Sequence, residues 1–119
     1  MTKIFISGAG AFGVALALSL EKTQKNITLI SRDPTTLSKT RKTTKLPGVI
    51  IPKSINIIGD SSSITRDDIL LLAIPLQKLS KYLQAFEGNP GIAVACCKGI
   101  DLNTNTGPTE IIKTTIGCP

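Results

Sequence analysis

Short apolar runs alternate along this chain with longer stretches whose apolar residues recur at helical spacing. Lys3–Ser7 (K-I-F-I-S) reads as a first strand and Ala11–Thr23 as a helix that Asn26 ends. Ile27–Ser31 (I-T-L-I-S) is β-branched and strand-like, and Asp33-Pro34 caps and opens a polar helix to about Lys42. Leu46–Lys53 (L-P-G-V-I-I-P-K) is broken by its prolines and glycine, so it reads as an extended loop leading to a short strand, Ile55–Ile58. Asp60-Ser61-Ser62-Ser63 is turn and cap chemistry ahead of a brief helix. Ile69–Ile74 is a continuous apolar strand stopped by Pro75, and Leu76, Leu79, Leu83 and Phe86 mark a helix over Leu76–Phe86. Gly91–Cys97 is the last apolar run, and a closing helix runs from Thr109 to about Ile116, with Gly117-Cys118-Pro119 as its stop. Continuous apolar strands separated by helices predict a parallel sheet covered on both faces. With right-handed crossovers this is an α/β, doubly wound sheet of about five strands in the order 3-2-1-4-5.

Where the first strand meets the first helix, the chain reads Gly8-Ala9-Gly10-Ala11-Phe12-Gly13. A G-x-G-x-x-G in this position is a dinucleotide-binding fingerprint, and the fold becomes Rossmann-like. Gly8 turns the chain tightly out of the strand, and Gly10 lets main-chain N–H groups approach a pyrophosphate. Gly13 leaves room where helix meets sheet. The helix start offers unpaired donors and a positive dipole end to an anion. The competing reading is a glycine turn that binds nothing.

At 119 residues the chain is a single domain, short for a two-domain enzyme. No apolar run approaches the ~20 residues of a bilayer span, and the N-terminus lacks a signal-peptide layout, so no membrane insertion and a cytoplasmic location are expected. The formal charge is +6, but aromatic residues make up only 3%, without the basic–aromatic interleaving of a nucleic-acid surface. No nucleic-acid partner is expected. The basic excess is local: Lys39, Arg41, Lys42, Lys45 and Lys53 lie between Pro34 and Ser54 without an acid. That stretch is either a solvated, mobile surface or an electrostatic funnel for a phosphate-bearing ligand. Cys96 and Cys97 are expected to be buried thiols on opposite faces of a strand. With Cys118 they form no metal-ligand spacing, and the absence of histidine removes every Ser-His or Cys-His arrangement.

A ligand of such a sheet lies across the carboxyl ends of the strands, at the switch point between the first and fourth. The loops there are Gly8–Gly13, Ser31–Asp33, Ile74–Gln77 with Pro75 at its centre, and Cys97–Ile100. The cofactor-binding candidates read from these loops are Gly8, Gly10, Gly13, Arg32, Pro75 and Lys98. Arg32 stands where an NAD-selective site usually carries an acid, and its guanidinium fork suits a 2′-phosphate, unless it is an ordinary surface charge. Asp33 is assigned as a helix cap. The expected cofactor is NADPH, with NADH as the second option. Lys98, at a strand's carboxyl end beside Gly99, is also the substrate-binding candidate, since its ammonium can hold a phosphate or polarise a carbonyl, unless it is an ordinary solvated loop lysine.

Four segments in order resemble the N-terminal half of bacterial NAD(P)-dependent glycerol-3-phosphate dehydrogenase. They are G-A-G-A-F-G at Gly8, S-R-D-P at Ser31, L-P-G-V-I-I-P at Leu46 and C-K-G-I-D at Cys97. Leu72-Ala73-Ile74-Pro75-Leu76-Gln77 is similar to that family's V-A-V-P-S-Q stretch. The resemblance implies reduction of dihydroxyacetone phosphate to sn-glycerol 3-phosphate, a reaction of phospholipid synthesis. It implies that Ala11 and Phe12 lie against the cofactor, that Arg32 recognises the adenosine phosphate, and that Lys98 sits near nicotinamide and substrate. The family's second, helical domain carries the proton-donating lysine, which has no counterpart in these residues. No catalytic residue is therefore assigned, and the chain alone is expected to bind cofactor weakly and reduce little or nothing. Leu76 in place of serine and Cys96-Cys97 in place of A-T are further departures.

Two other readings remain. One is a stand-alone nucleotide-binding or redox-sensing module; the other is a ketopantoate-reductase-like fragment, against which the L-P-G-V-I-I-P and K-G-I-D segments count. A phosphate-bearing small molecule is the expected substrate once a second domain is supplied. A bare sheet edge would favour self-association, with a homodimer as its simplest form.

Overall fold

The computed structural model describes residues 2–23, 26–43, 46–96 and 107–116. Its elements run β1 (Ile4–Ser7), α1 (Ala11–Glu21), β2 (Ile27–Ile30), α2 (Pro34–Thr40), β3 (Asn56–Ile58), β4 (Ile69–Leu72), α3 (Leu76–Gln84), β5 (Ile92–Ala95) and α4 (Pro108–Ile116). All five strands are parallel and lie in the order β3-β2-β1-β4-β5, as the sequence pattern predicts. Register is tight at the centre, where Ile4 pairs with both Ile27 and Ile69, and Ser7 with both Ile30 and Leu72.

Side chains alternate across this sheet and feed two cores. Ile6, Ile27 and Leu29 pack under Val14 and Ala17 of α1 on one face. On the other face, Phe5, Ile30, Leu70 and Leu72 meet Leu79 and Leu83 of α3 and Ile111 and Ile112 of α4. Ile6, Leu29, Leu70, Leu72 and Leu79 are fully buried, each contributing roughly 1.5–3 kcal/mol of transfer free energy.

Four local expectations need correction. The stretch after Asp60 forms turns and no helix: Asp60 Oδ1 accepts from the Ser62 N–H at 3.0 Å, and the Ile64 N–H donates to the Ser61 carbonyl at 3.1 Å. Ser and Asp side chains here win the local backbone donors that a helix would have used. The polar helix α2 stops at Thr40, because Arg41 adopts a left-handed conformation (φ 55°). Arg41 is no mobile surface residue: its Nη1 donates to the carbonyls of Pro52 (3.1 Å) and Ile55 (2.6 Å), and its Nε to Ser38 (3.2 Å). The guanidinium thus ties the end of α2 to the loop entering β3. Finally, β5 ends at Ala95, so Cys96 lies past the strand and is half-buried, while Cys97 lies outside the described residues.

Candidate cofactor site at the glycine loop

The crest between β1 and α1 explains each glycine. Gly8 has φ +110°, and a Cβ there would lie 2.5 Å from the Ala73 carbonyl oxygen, so the position is closed to side chains twice over. A Cβ on Gly13 would overlap the Gly8 carbonyl oxygen. The expected helix–sheet contact is therefore a contact of α1 with the glycine loop itself. Gly10 is different: a Cβ there meets nothing within 4 Å. It is the N-cap of α1, and the Val14 N–H donates to its carbonyl at 3.0 Å. The first helical N–H groups, of Ala11, Phe12 and Gly13, have no intrahelical acceptor by geometry. No acidic residue occupies this first turn to meet them, and Phe12 is 57% exposed although aromatic.

Three strand exits converge on this crest. The Gly8 N–H donates to the Ile30 carbonyl (3.2 Å), linking the exits of β1 and β2. The Ala73 N–H donates to the Ser7 carbonyl (2.9 Å), linking β1 to β4. Arg32 follows the buried Ser31 at the β2 exit and is exposed, and Pro75, also exposed, is the N-cap of α3. Gly8, Gly10, Ala11, Phe12, Gly13, Arg32 and Pro75 thus lie on the β1, β2 and β4 exits. Lys98, with the rest of Cys97–Ile100, lies outside the described residues. Asp33 occupies the N-cap position of α2, but its side chain makes no cap bond; instead its N–H donates to Ser31 Oγ at 3.1 Å. The serine before the arginine, not the aspartate after it, organises this turn.

Sequence reasoning passed over two polar groups. Ser7 is fully buried beneath the glycine loop, and its Oγ lies 2.7 Å from the Tyr82 hydroxyl on α3. Burial pushes the Tyr82 phenol above its ordinary range, and the Ser7 bond offsets part of that. Asp68 is buried at the entry of β4, where Oδ2 accepts from the Thr65 N–H (2.9 Å) and hydroxyl (3.2 Å) and Oδ1 from the Lys3 N–H (3.2 Å). The T-x-x-D spacing of Thr65 and Asp68 was the available signal. A concavity of about 390 Å³ lies over the entry side of β1–β3, lined by Lys3, Phe5, Thr28, Arg41 and Asn56 among others. It shares no lining residue with the glycine loop.

The donor set fits a dinucleotide: open space at Gly10, helix N–H groups beside it, and closely packed Gly8 and Gly13 holding the loop down. Comparison with known proteins agrees. A family described as NAD-dependent glycerol-3-phosphate dehydrogenase N-terminus matches residues 3–119. Glycerol-3-phosphate dehydrogenase (NAD(P)+) of Roseobacter denitrificans is 40% identical over 114 residues, which is 91% of this chain and 35% of that protein. Its counterpart in Paracoccus denitrificans is 40% identical over 118 residues, 98% of this chain and 36% of that protein. A crystal structure of glycerol-3-phosphate dehydrogenase from Coxiella burnetii superposes with a TM-score of 0.74 at 20% identity, covering 97% of this chain and 38% of that one, which supports the fold. The chain spans little more than one third of the length of these relatives. It belongs to the family of NAD-dependent glycerol-3-phosphate dehydrogenase N-terminal domains.

Proposed function

We propose that this chain holds NADPH, in preference to NADH, for a glycerol-3-phosphate dehydrogenase acting on dihydroxyacetone phosphate and sn-glycerol 3-phosphate. The observation that carries the reading is the contrast among the glycines. Two are packed where no Cβ fits, while Gly10 opens onto free space at the start of α1. Ala11, Phe12 and Gly13 would present N–H donors to the pyrophosphate, and the exposed Phe12 ring would cover part of the nucleotide. Arg32 would grip the 2′-phosphate through charge-assisted bonds, and Pro75 would bound the opposite wall. When bound, the reduced nicotinamide supplies hydride. Lys98 would hold the phosphate or carbonyl of the substrate. A proton donor and a closed, dry site are also required, and none of the residues assigned here supplies the proton. The chain alone therefore binds cofactor and turns over little or nothing.

Calorimetric titration of the purified chain with NADPH and NADH tests this. Saturable binding, tighter for NADPH, is expected, with no oxidation of NADPH on adding dihydroxyacetone phosphate. A folded chain that bound neither nucleotide would sink the reading, and turnover by the chain alone would sink its inactive part.

A further inference from the structure

The Ser7–Tyr82 pair connects the two walls of the crevice, and nothing in the roles assigned so far uses it. Ser7 is the last residue of β1, immediately before Gly8 with its φ of +110°. Its carbonyl is already held by Ala73 at the β4 exit, so its main chain is the root from which the glycine loop springs. Its hydroxyl, with the residue fully buried, meets the Tyr82 hydroxyl at 2.7 Å. Tyr82 sits in the last turn of α3, the helix that Pro75 opens, beside Leu79 and Leu83 in sequence, both packed in the core. Its ring also packs on Phe86, with centroids 5.9 Å apart.

The surroundings are apolar, so the fully buried Ser7 hydroxyl depends on Tyr82: among the described residues no buried side-chain N or O atom lacks a partner. A polar pair costs more to bury here than two apolar groups of the same shape. What it supplies in return is direction. Apolar contact tolerates sliding, whereas an O–H···O bond fixes one distance and one orientation. We propose that Ser7 and Tyr82 are positioning residues for cofactor binding: their bond locks the root of the glycine loop to α3 and sets the loop's seat for the pyrophosphate. This rests on the cofactor reading given above.

The test uses Tyr82→Phe, Ser7→Ala and the double variant, with three readouts: NADPH affinity, melting temperature and amide hydrogen exchange across residues 8–13. Tyr82→Phe leaves the fully buried Ser7 hydroxyl without a partner and is expected to melt lower; Ser7→Ala loses the same bond at the half-buried Tyr82 and is expected to melt lower by less. Each also lowers NADPH affinity about five- to tenfold, the worth of one hydrogen bond, and speeds exchange in the loop. The double variant separates positioning from mere packing. Removing both hydroxyls restores an apolar contact, so the melting temperature recovers, while affinity stays low and loop exchange stays fast. Affinity that recovers together with stability overturns the proposal, as does affinity unchanged in every variant. If the unsubstituted chain binds neither nucleotide, the cofactor reading itself fails. Loop exchange then decides the latch by itself: unchanged rates at residues 8–13 in Tyr82→Phe overturn it.

Discussion

The β1–α1–β2 unit and the β4–β5 margin are written in the same sequence language and are buried to different depths. Both are continuous apolar runs, the pattern of strands covered on two faces. In β2 every residue is buried, whereas β5 alternates, with Ile92 52% and Val94 41% exposed. The difference is the number of covering layers. α1 lies over β1 and β2 and reaches Leu71 of β4, while among the described residues β5 is covered by α3 and α4 on one face only, through Ala93 and Ala95, so the side chains of Ile92 and Val94 point away from any described helix. A continuous apolar run thus announces the burial a strand is built for, and the surrounding chain decides how much of it is delivered.

The strongest way to break that comparison is to truncate one aliphatic side chain to alanine in each region. Ile6→Ala empties a fully buried site beneath α1 and should cost about 2–5 kcal/mol. Val94→Ala removes methyl groups that already face solvent and should stay within about 0.5 kcal/mol. Urea denaturation of both variants decides the matter, and equal losses would mean that the margin is covered in solution.

Next in size comes a contrast inside the crest. Gly13→Ala forces a methyl into the Gly8 carbonyl and should destabilise the fold by about 1–3 kcal/mol or more. Gly10→Val places its side chain in open space, so the melting temperature should hold while nucleotide binding disappears. Calorimetry and thermal melts on the same samples separate the two. If Gly10→Val still bound NADPH normally, the pyrophosphate site would have to be moved off this loop.

Arg32→Ala is expected to weaken NADPH by about 1.5–3 kcal/mol, the usual worth of a hydrogen bond to a charged group, and NADH far less. Equal weakening of both would show that Arg32 does not read the 2′-phosphate. No stability change should accompany the loss, because Arg32 is exposed at the β2 exit.

These contrasts also show which parts of the molecule were legible in the sequence. Strand order followed from periodicity, since parallel apolar strands joined by helices leave few topologies. The glycine loop followed from spacing, and two of its glycines, Gly8 and Gly13, answer a local steric demand. What escaped was set by distant partners. Asp33 carries the side chain of a helix cap, yet it makes no cap bond, and the turn is held by its N–H donating to Ser31 Oγ. Arg41 looks like surface charge until the chain folds back and places the carbonyls of Pro52 and Ile55 within reach. Ser7 and Tyr82 are 75 positions apart, and only the packing of α3 onto the sheet brings their hydroxyls together. The buried state of Cys96 failed for a local reason: β5 ends at Ala95, one residue before it.

The smallest expected effect is a pH dependence that joins the two regions through Tyr82. Burial raises its phenol pKa above the unfolded value near 10, so between the two values the folded chain holds a proton that the unfolded chain has released. Stability contributed by the protonated phenol is therefore fully present below about pH 10 and falls as pH rises through the higher folded value. Lysines titrate in the same range, so the informative quantity is the difference between the chain and its Tyr82→Phe variant. Urea midpoints from pH 8 to 11 should fall more steeply for the unsubstituted chain. Parallel curves would mean that the phenolate of this half-buried ring reaches water without unfolding, and that its bond to Ser7 does not hold the proton.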